Sequence, residues 1–264
     1  MNITKQFAVA ELADQWLTCG VERGDVLLVH SNIKRLLISY RRRCVDWKVN
    51  DILQSLLTAL GPKGTLLLPL FNFDFTRGTP FDFKSTPSQM GSLTEAGRIW
   101  PDAVRTGHPI YSFVAIGAQA AQFEGICNVS GYGRDSPFAI LKTLSGKIGV
   151  LDLPEQDSMT FYHYVEEMHN VSYRHHKVWS GAYTDAAGNA EMRDFSLFVR
   201  NLDMGVQTAV DPMGERLWAK QLYQGFRPGV QLGMRVISAA SLYKETSSVI
   251  NSGKALGLLY RIES

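Results

Sequence analysis

Apolar positions along the chain fall into short continuous runs separated by amphipathic stretches. Val26 to Val29, Thr65 to Pro69, Phe113 to Gly117 and Lys147 to Leu151 have the length and composition of strands covered on both faces. Between them the apolar spacing lengthens to that of helices. One helix is predicted from Val9 to Cys19 and stops at Gly20, a residue suited to the left-handed turn after a helix. A second runs from Val49 to Leu60 and ends at Gly61-Pro62. Ser92 to Glu95 reads as a capping box that opens a third, closed by Pro101. Short helices follow at about 118–123 and at Pro137 to Leu144, the latter with proline in its first turn. Strand–helix–strand alternation of this kind predicts a layered α/β sandwich.

The second half changes rhythm. Val171 to Ser180 reads as a strand, Asp185 to Asn189 as a hairpin turn, and Ala190 to Val199 as the return strand. Helices are expected around 211–224 and 236–252, and a last edge strand over Leu256 to Ile262. No repeat, low-complexity tract or linker interrupts the pattern. One domain over 1–264 is therefore expected, with a hairpin flap at about 170–200.

Polar residues concentrate where the fourth strand ends. The loop after Leu151 carries Asp152, Glu155 and Asp157, and Asp157 or Ser158 can cap a helix that starts near Met159. On that helix His163 and Glu166 are three residues apart and share a face. Asp157 precedes the first turn, where the helix dipole favours a carboxylate. A histidine between two carboxylates has the pattern of an oriented, basic imidazole. Glu155 and Glu167 read as solvated helix-end residues.

Composition narrows the function without choosing it. The chain has 264 residues, 45% hydrophobic and 20% charged, with a formal net charge of +2. That balance gives no reason to expect a nucleic-acid polymer or a membrane surface as partner. Cys19, Cys44 and Cys127 are odd in number and far apart, which fits a reducing compartment better than a disulfide framework. The N-terminus reads as an amphipathic helix, and no apolar run approaches the roughly 20 residues that span a bilayer. A cytoplasmic location is the expectation, and a homo-oligomer is left open.

Other polar segments sit at strand ends or in loops. His30-Ser31-Asn32 follows the first buried strand, where α/β proteins place ligand loops. Arg41-Arg42-Arg43 reads as a solvated loop, or as a dock for a phosphorylated nucleotide. Phe71, Phe73, Phe75, Phe81 and Phe83 alternate with polar residues in a long loop whose acids, Asp74 and Asp82, suit a sugar or a polycation. His108 precedes a proline and is held extended. Phosphate-loop, dinucleotide and GxSxG motifs are absent. His163 to Glu167 lacks the second histidine of a metalloprotease, although His169, His175 and His176 keep a metal-dependent hydrolase as an alternative.

Six fragments in order then resemble the aminoglycoside 3-N-acetyltransferase (antibiotic N-acetyltransferase) family. They are Val29-His30-Ser31, Gly64 to Pro69, Ser88 to Glu95, Arg105 to Ser112, Ser136-Pro137 with Gly146-Lys147, and Asp157 to Glu166. The resemblance covers about Val21 to Val178 and thins beyond. It implies a layered α/β/α sandwich with a central mixed sheet and a smaller loop or hairpin flap, and acetyl transfer from acetyl-CoA to an amine on an amino sugar, with no metal. The implied catalytic residues are His163, Glu166 and Asp157. His30, Ser31, Asn32, His108, Ser112 and Thr160 are the implied cofactor contacts, with Thr160 or Ser112 also able to steady the oxyanion. Asp74, Asp82 and Asp203 are the candidate acceptor contacts. Near-neutral charge and few acids favour a biosynthetic enzyme acting on an amino sugar, nucleotide-linked in one version, over an aminoglycoside resistance enzyme. A non-catalytic glycan-binding module remains if neither coenzyme A nor metal binds.

Overall fold

The structure, a computed structural model, describes residues 3–43 and 47–263; Cys44 lies outside them. Helix α1 (Ile3–Thr18) leads to strand β1 (Val26–Ser31), then α2 (Lys34–Arg42), α3 (Val49–Leu60) and β2 (Thr65–Pro69). A loop holding a short strand, β3 (Phe81–Asp82), precedes α4 (Ser92–Arg98), β4 (Val104–Arg105) and β5 (Phe113–Gly117). Next come α5 (Pro137–Thr143), β6 (Lys147–Leu151) and α6 (Phe161–Met168). Long strands β7 (Arg174–Thr184) and β8 (Ala190–Arg200) follow, then β9 (Val206–Thr208) and α7 (Asp211–Ala219). The chain closes with β10 (Gln224–Gly225), β11 (Met234–Ser238), α8 (Ala239–Asn251) and β12 (Tyr260–Ile262).

Seven strands form one mixed sheet in the order β10-β11-β6-β1-β2-β5-β4. Its centre, β6-β1-β2, is parallel, and the strands outside it run antiparallel. Alternate residues of the central strands feed two separate cores, because successive side chains leave a strand on opposite faces. Leu27, Val29, Leu66 and Leu68 pack with Trp16, Leu36, Leu53 and Leu56 of α1–α3. Leu28, Leu67, Ile148 and Val150 pack with Phe138, Phe161 and Leu242 on the other side. The expected α/β/α layering with a central mixed sheet is what forms.

On that second side β7 and β8 pair antiparallel from Arg174 opposite Arg200 to Thr184 opposite Ala190. β3 adds to β7 in parallel, making a three-stranded sheet. Its apolar residues Tyr183, Phe195, Leu197 and Phe198 join the same core as the central strands. Asp185 accepts the Asn189 N–H at 2.9 Å and closes the expected turn.

Several elements depart from the sequence expectation. Arg41 and Arg42 end helix α2, which buries Leu36 and Tyr40 one turn apart and leaves the arginines outside. Arg43 follows it and pairs with Glu11. Residues 120–123 form a 3-10 turn. Ser92 lies inside α4; Gly91 takes the cap position, and Glu95 turns to the Ser88 N–H and Arg98. α6 begins at Phe161, with Thr160 rather than Asp157 or Ser158 at its cap position. Strand β11 takes residues 236–238, the start of an expected helix, and that helix, α8, begins at Ala239 after it. The last strand pairs with β9 in a small separate sheet and is not an edge of the main one.

Candidate active site

Helix α6 carries the site. Its inner positions Phe161, Tyr162 and Val165 are fully buried, which fixes its rotation and aims His163 and Glu166 together toward the open ends of β7 and β8. His163 Nδ1 lies 3.0 Å from Glu166 Oε2. Glu166 is 1% exposed and meets Arg174 Nε at 2.7 Å in an ion pair. Arg174 is itself tied down: it donates to the Phe198 carbonyl at 3.2 Å and to Thr208 Oγ1 at 3.3 Å. Burial alone would raise the Glu166 pKa, but the charge of Arg174 and the His163 hydrogen bond bring it below the ordinary value. Burial pushes the His163 pKa down, and Arg174 pushes it further; Glu166 opposes both without reversing them. The imidazole is thus oriented by a carboxylate and neutral at physiological pH. With Nδ1 assigned as the donor to Glu166, Nε2 keeps a free lone pair.

His163 opens onto a cleft of about 660 Å³. Tyr111 and Tyr132 form one wall, with the Tyr132 ring centroid 5.2 Å from that of His163. Trp179, Phe198 and Val199 of the hairpin form the other, and the charged lining is Arg174, Lys177, Arg200 and Asp203. Sequence reading missed Tyr111, Tyr132, Arg174 and the two further cations. The only local hint was the Gly131-Tyr132-Gly133 turn, since small neighbours let a loop bring a tyrosine close to other side chains.

A second cleft, about 590 Å³, lies at the end of β1 and the start of α4. Ser31, Asn32, Lys34 and Arg41 supply its polar lining. His30 sits behind it, buried within β1, with Nε2 3.5 Å from Thr160 Oγ1 just ahead of α6. Burial, aided by Arg235, lowers the His30 pKa to about 3. Thr160 therefore ties the buried His30 of β1 to the start of the helix bearing His163.

The remaining sequence candidates lie elsewhere. Asp157 is exposed on the turn before α6 and lines neither cleft. His108 is wholly buried: its Nδ1 accepts the Ile110 and Tyr111 N–H groups at 3.2 and 2.9 Å, and Nε2 faces the Ser196 carbonyl. Burial lowers its pKa to about 4. Ser112 is equally buried, between the Leu70 carbonyl and Arg105. Both hold main-chain segments together. Asp74 pairs with Arg77 beside a small cavity. Asp82 accepts the N–H groups of Lys84 and Ser85, which lower its pKa. Of the three acids expected at the acceptor, only Asp203 lines the His163 cleft.

Glu155 and Glu167 were expected in solvent; Glu155 is buried and Glu167 only partly exposed. Glu155 is buried and accepts hydrogen bonds from Tyr162 at 2.6 Å, Tyr223 at 2.8 Å and Arg235 at 3.1 Å. Glu167 accepts from Ser130 at 2.7 Å, and burial raises its pKa. Among the described residues no group of three or more His, Cys, Asp or Glu side chains converges as metal ligands. No helix of the described residues is long and apolar enough to cross a membrane.

The three-layer fold, with a histidine–glutamate pair on α6 beside the cleft lined by β7 and β8, defines a class of α/β/α protein. A family model described as aminoglycoside 3-N-acetyltransferase matches residues 28–248; the chain belongs to that family. Aminoglycoside N(3)-acetyltransferase IX of Micromonospora chalcea is 29% identical over 192 residues, 64% of this chain and 63% of its own length. Aminoglycoside N(3)-acetyltransferase IV of Salmonella sp is 32% identical over 167 residues, 62% of this chain and 60% of its own. The chain thus spans somewhat less than two thirds of these curated relatives. Among solved structures, the binary complex of AAC-IIIb with CoASH shares the fold at a TM-score of 0.75 and 22% identity, over 93% of this chain and 96% of that one.

Proposed function

We propose that this chain is an acetyl-CoA-dependent N-acetyltransferase acting on the amine of an amino sugar. The observation that carries the reading is the clamped pair His163–Glu166, with His163 lining a cleft large enough for a sugar. A protonated amine is not nucleophilic, so a neutral imidazole at Nε2 takes its proton as nitrogen attacks the thioester carbonyl. The new carbon–nitrogen bond forms, the carbon–sulfur bond breaks, and the thiol leaves with a proton. Glu166 orients the ring and balances the charge it acquires; Arg174 keeps Glu166 ionised. The second cleft suits the acyl donor, since Lys34 and Arg41 on its wall can meet its phosphates.

The relatives carry the name aminoglycoside N(3)-acetyltransferase, and this favours an aminoglycoside over a nucleotide-linked sugar as first acceptor to test. The test is thiol release from acetyl-CoA with a panel of amino sugars and aminoglycosides. Turnover that falls by about 10²–10⁴-fold in His163→Ala is the expected result. Turnover unaffected by that change, or abolished by a chelator and restored by zinc, sinks the reading.

A further inference from the structure

Acyl transfer to an amine passes through a tetrahedral centre whose carbonyl oxygen becomes an oxyanion, and that charge needs a hydrogen-bond donor aimed at it. The two hydroxyls that the sequence suggested for this role are placed elsewhere. Ser112 is buried between the Leu70 carbonyl and Arg105. Thr160 lines neither the His163 cleft nor the second one, and its Oγ1 lies 3.5 Å from His30 Nε2. Within the His163 cleft, Arg174 is engaged by Glu166, Thr208 accepts from Arg174, and Lys177 sits over the Trp179 ring. Tyr132 lines the same cleft and packs on the base itself, its ring centroid 5.2 Å from that of His163. The Tyr111 ring stands edge-on to it at 4.8 Å.

Main-chain contacts hold both tyrosines in place. The Gly131 N–H donates to the Ser196 carbonyl at 2.9 Å, which pins the turn carrying Tyr132 to β8. A Cβ on Gly131 would stand 2.5 Å from Leu197 Cδ2 and 3.3 Å from Tyr111 Cβ, so this close approach requires glycine. The Tyr111 N–H donates to the buried His108 at 2.9 Å. Burial first, then Tyr111 and the Glu166 charge, raise the Tyr132 pKa well above the usual phenol value, with Arg174 opposing them. Tyr132 therefore keeps its proton at neutral pH. The two hydroxyls perturb each other, and they carry two hydrogens between them. A bond from one to the other uses a single hydrogen, so one remains for a ligand.

We propose that the Tyr132 hydroxyl donates a hydrogen bond to the thioester oxygen as the amine attacks, with Tyr111 positioning it. This rests on the acetyl-transfer reading and adds a catalytic group to it. As nitrogen bonds to the carbonyl carbon, the carbonyl electron pair moves onto oxygen, where the Tyr132 O–H meets it. The pair returns as the carbon–sulfur bond breaks, and the thiol leaves with the proton that His163 took. Tyr132 keeps its own proton throughout. A donor matched to the oxyanion and not to the ground-state carbonyl speeds the step without tightening binding.

The deciding experiment is steady-state thiol release from acetyl-CoA, with kanamycin, gentamicin or sisomicin as acceptor, followed against pH. The parent is compared with Tyr132→Phe, Tyr111→Phe and His163→Ala. Tyr132→Phe should lower kcat by about 10²–10³-fold, as removal of one oxyanion donor does, with both KM values within about twofold of the parent. The acid limb of its rate profile should stay where His163 sets it, because a neutral phenol brings no charge to that ring. Tyr111→Phe should lower kcat about tenfold, the worth of one hydrogen bond, and gives the readout if Tyr132→Phe does not fold. An unchanged kcat in either tyrosine variant overturns the proposal. A raised acceptor KM with kcat intact overturns it by making Tyr132 a binding contact, and a displaced acid limb by making the hydroxyl act through His163. Turnover that His163→Ala abolishes and Tyr132→Phe preserves leaves acetyl transfer standing without the tyrosine. No thiol release by the parent removes both.

Discussion

Two buried glutamates eleven residues apart, Glu155 and Glu166, each face a strand arginine, Arg235 of β11 and Arg174 of β7, yet their surroundings differ. Glu155 is held by three donors: Tyr162, Tyr223 and Arg235 donate to it, and Arg235 continues to Ser158 and the Leu153 carbonyl. Both of its oxygens are taken up by those donors, although Glu155 and Arg235 edge a cleft of about 290 Å³. Glu166 also has its arginine, but its other partner is His163, and that ring lines a cleft. A buried charge must be matched to be tolerated. Whether the matching set closes on itself or ends in a titratable group at a cavity separates a brace from a candidate catalytic pair.

This contrast can be broken most sharply with His163→Ala. Turnover should fall about 10²–10⁴-fold with the melting temperature almost unchanged; a large loss of stability would make His163 a brace as well. Glu155→Ala should do the reverse. It strands Arg235, which is 1% exposed, together with two tyrosine hydroxyls, and should cost about 3–5 kcal/mol in urea unfolding. An unchanged unfolding midpoint would dissolve the distinction.

Gly214→Ala probes the brace more gently. A Cβ on this α7 residue would stand 2.9 Å from Glu155 Cγ, so a loss of about 1–3 kcal/mol from overpacking is expected, again by urea unfolding. The smallest effect is on pH dependence. The base must be neutral, and burial and Arg174 hold the His163 pKa below its ordinary 6.5. Activity should therefore be flat through neutrality and fall only as pH drops below that value. Arg174→Gln removes a cation that lowers the pKa, so the acid limb of kcat/KM should move upward; a downward shift would contradict the clamp.

A second pH effect belongs to the fold. His30 and His108 have pKa values of about 3 and about 4 in the folded chain, against an ordinary 6.5. The unfolded chain thus binds more protons between those values, and stability present above pH 6.5 should be lost progressively as pH falls toward 4. Urea midpoints that rise on acidification over that window would contradict the buried, neutral state of both rings.

Local pattern determined much of this molecule. The four apolar runs became β1, β2, β5 and β6 because continuous Val, Leu and Ile suit strands buried on both faces, and i, i+3 spacing on a helix placed His163 beside Glu166 before any tertiary contact was known. Only the tertiary structure decided the rest. No local pattern pairs Arg235 with Glu155, eighty residues earlier, and only the packed structure buries the two together. His108 and Ser112 look like ligand residues but hold buried main chain. Arg174, Tyr132 and Arg200 reach the site through hairpin register and loop packing, which place residues far apart in sequence within one cleft, and no local periodicity encodes such distances.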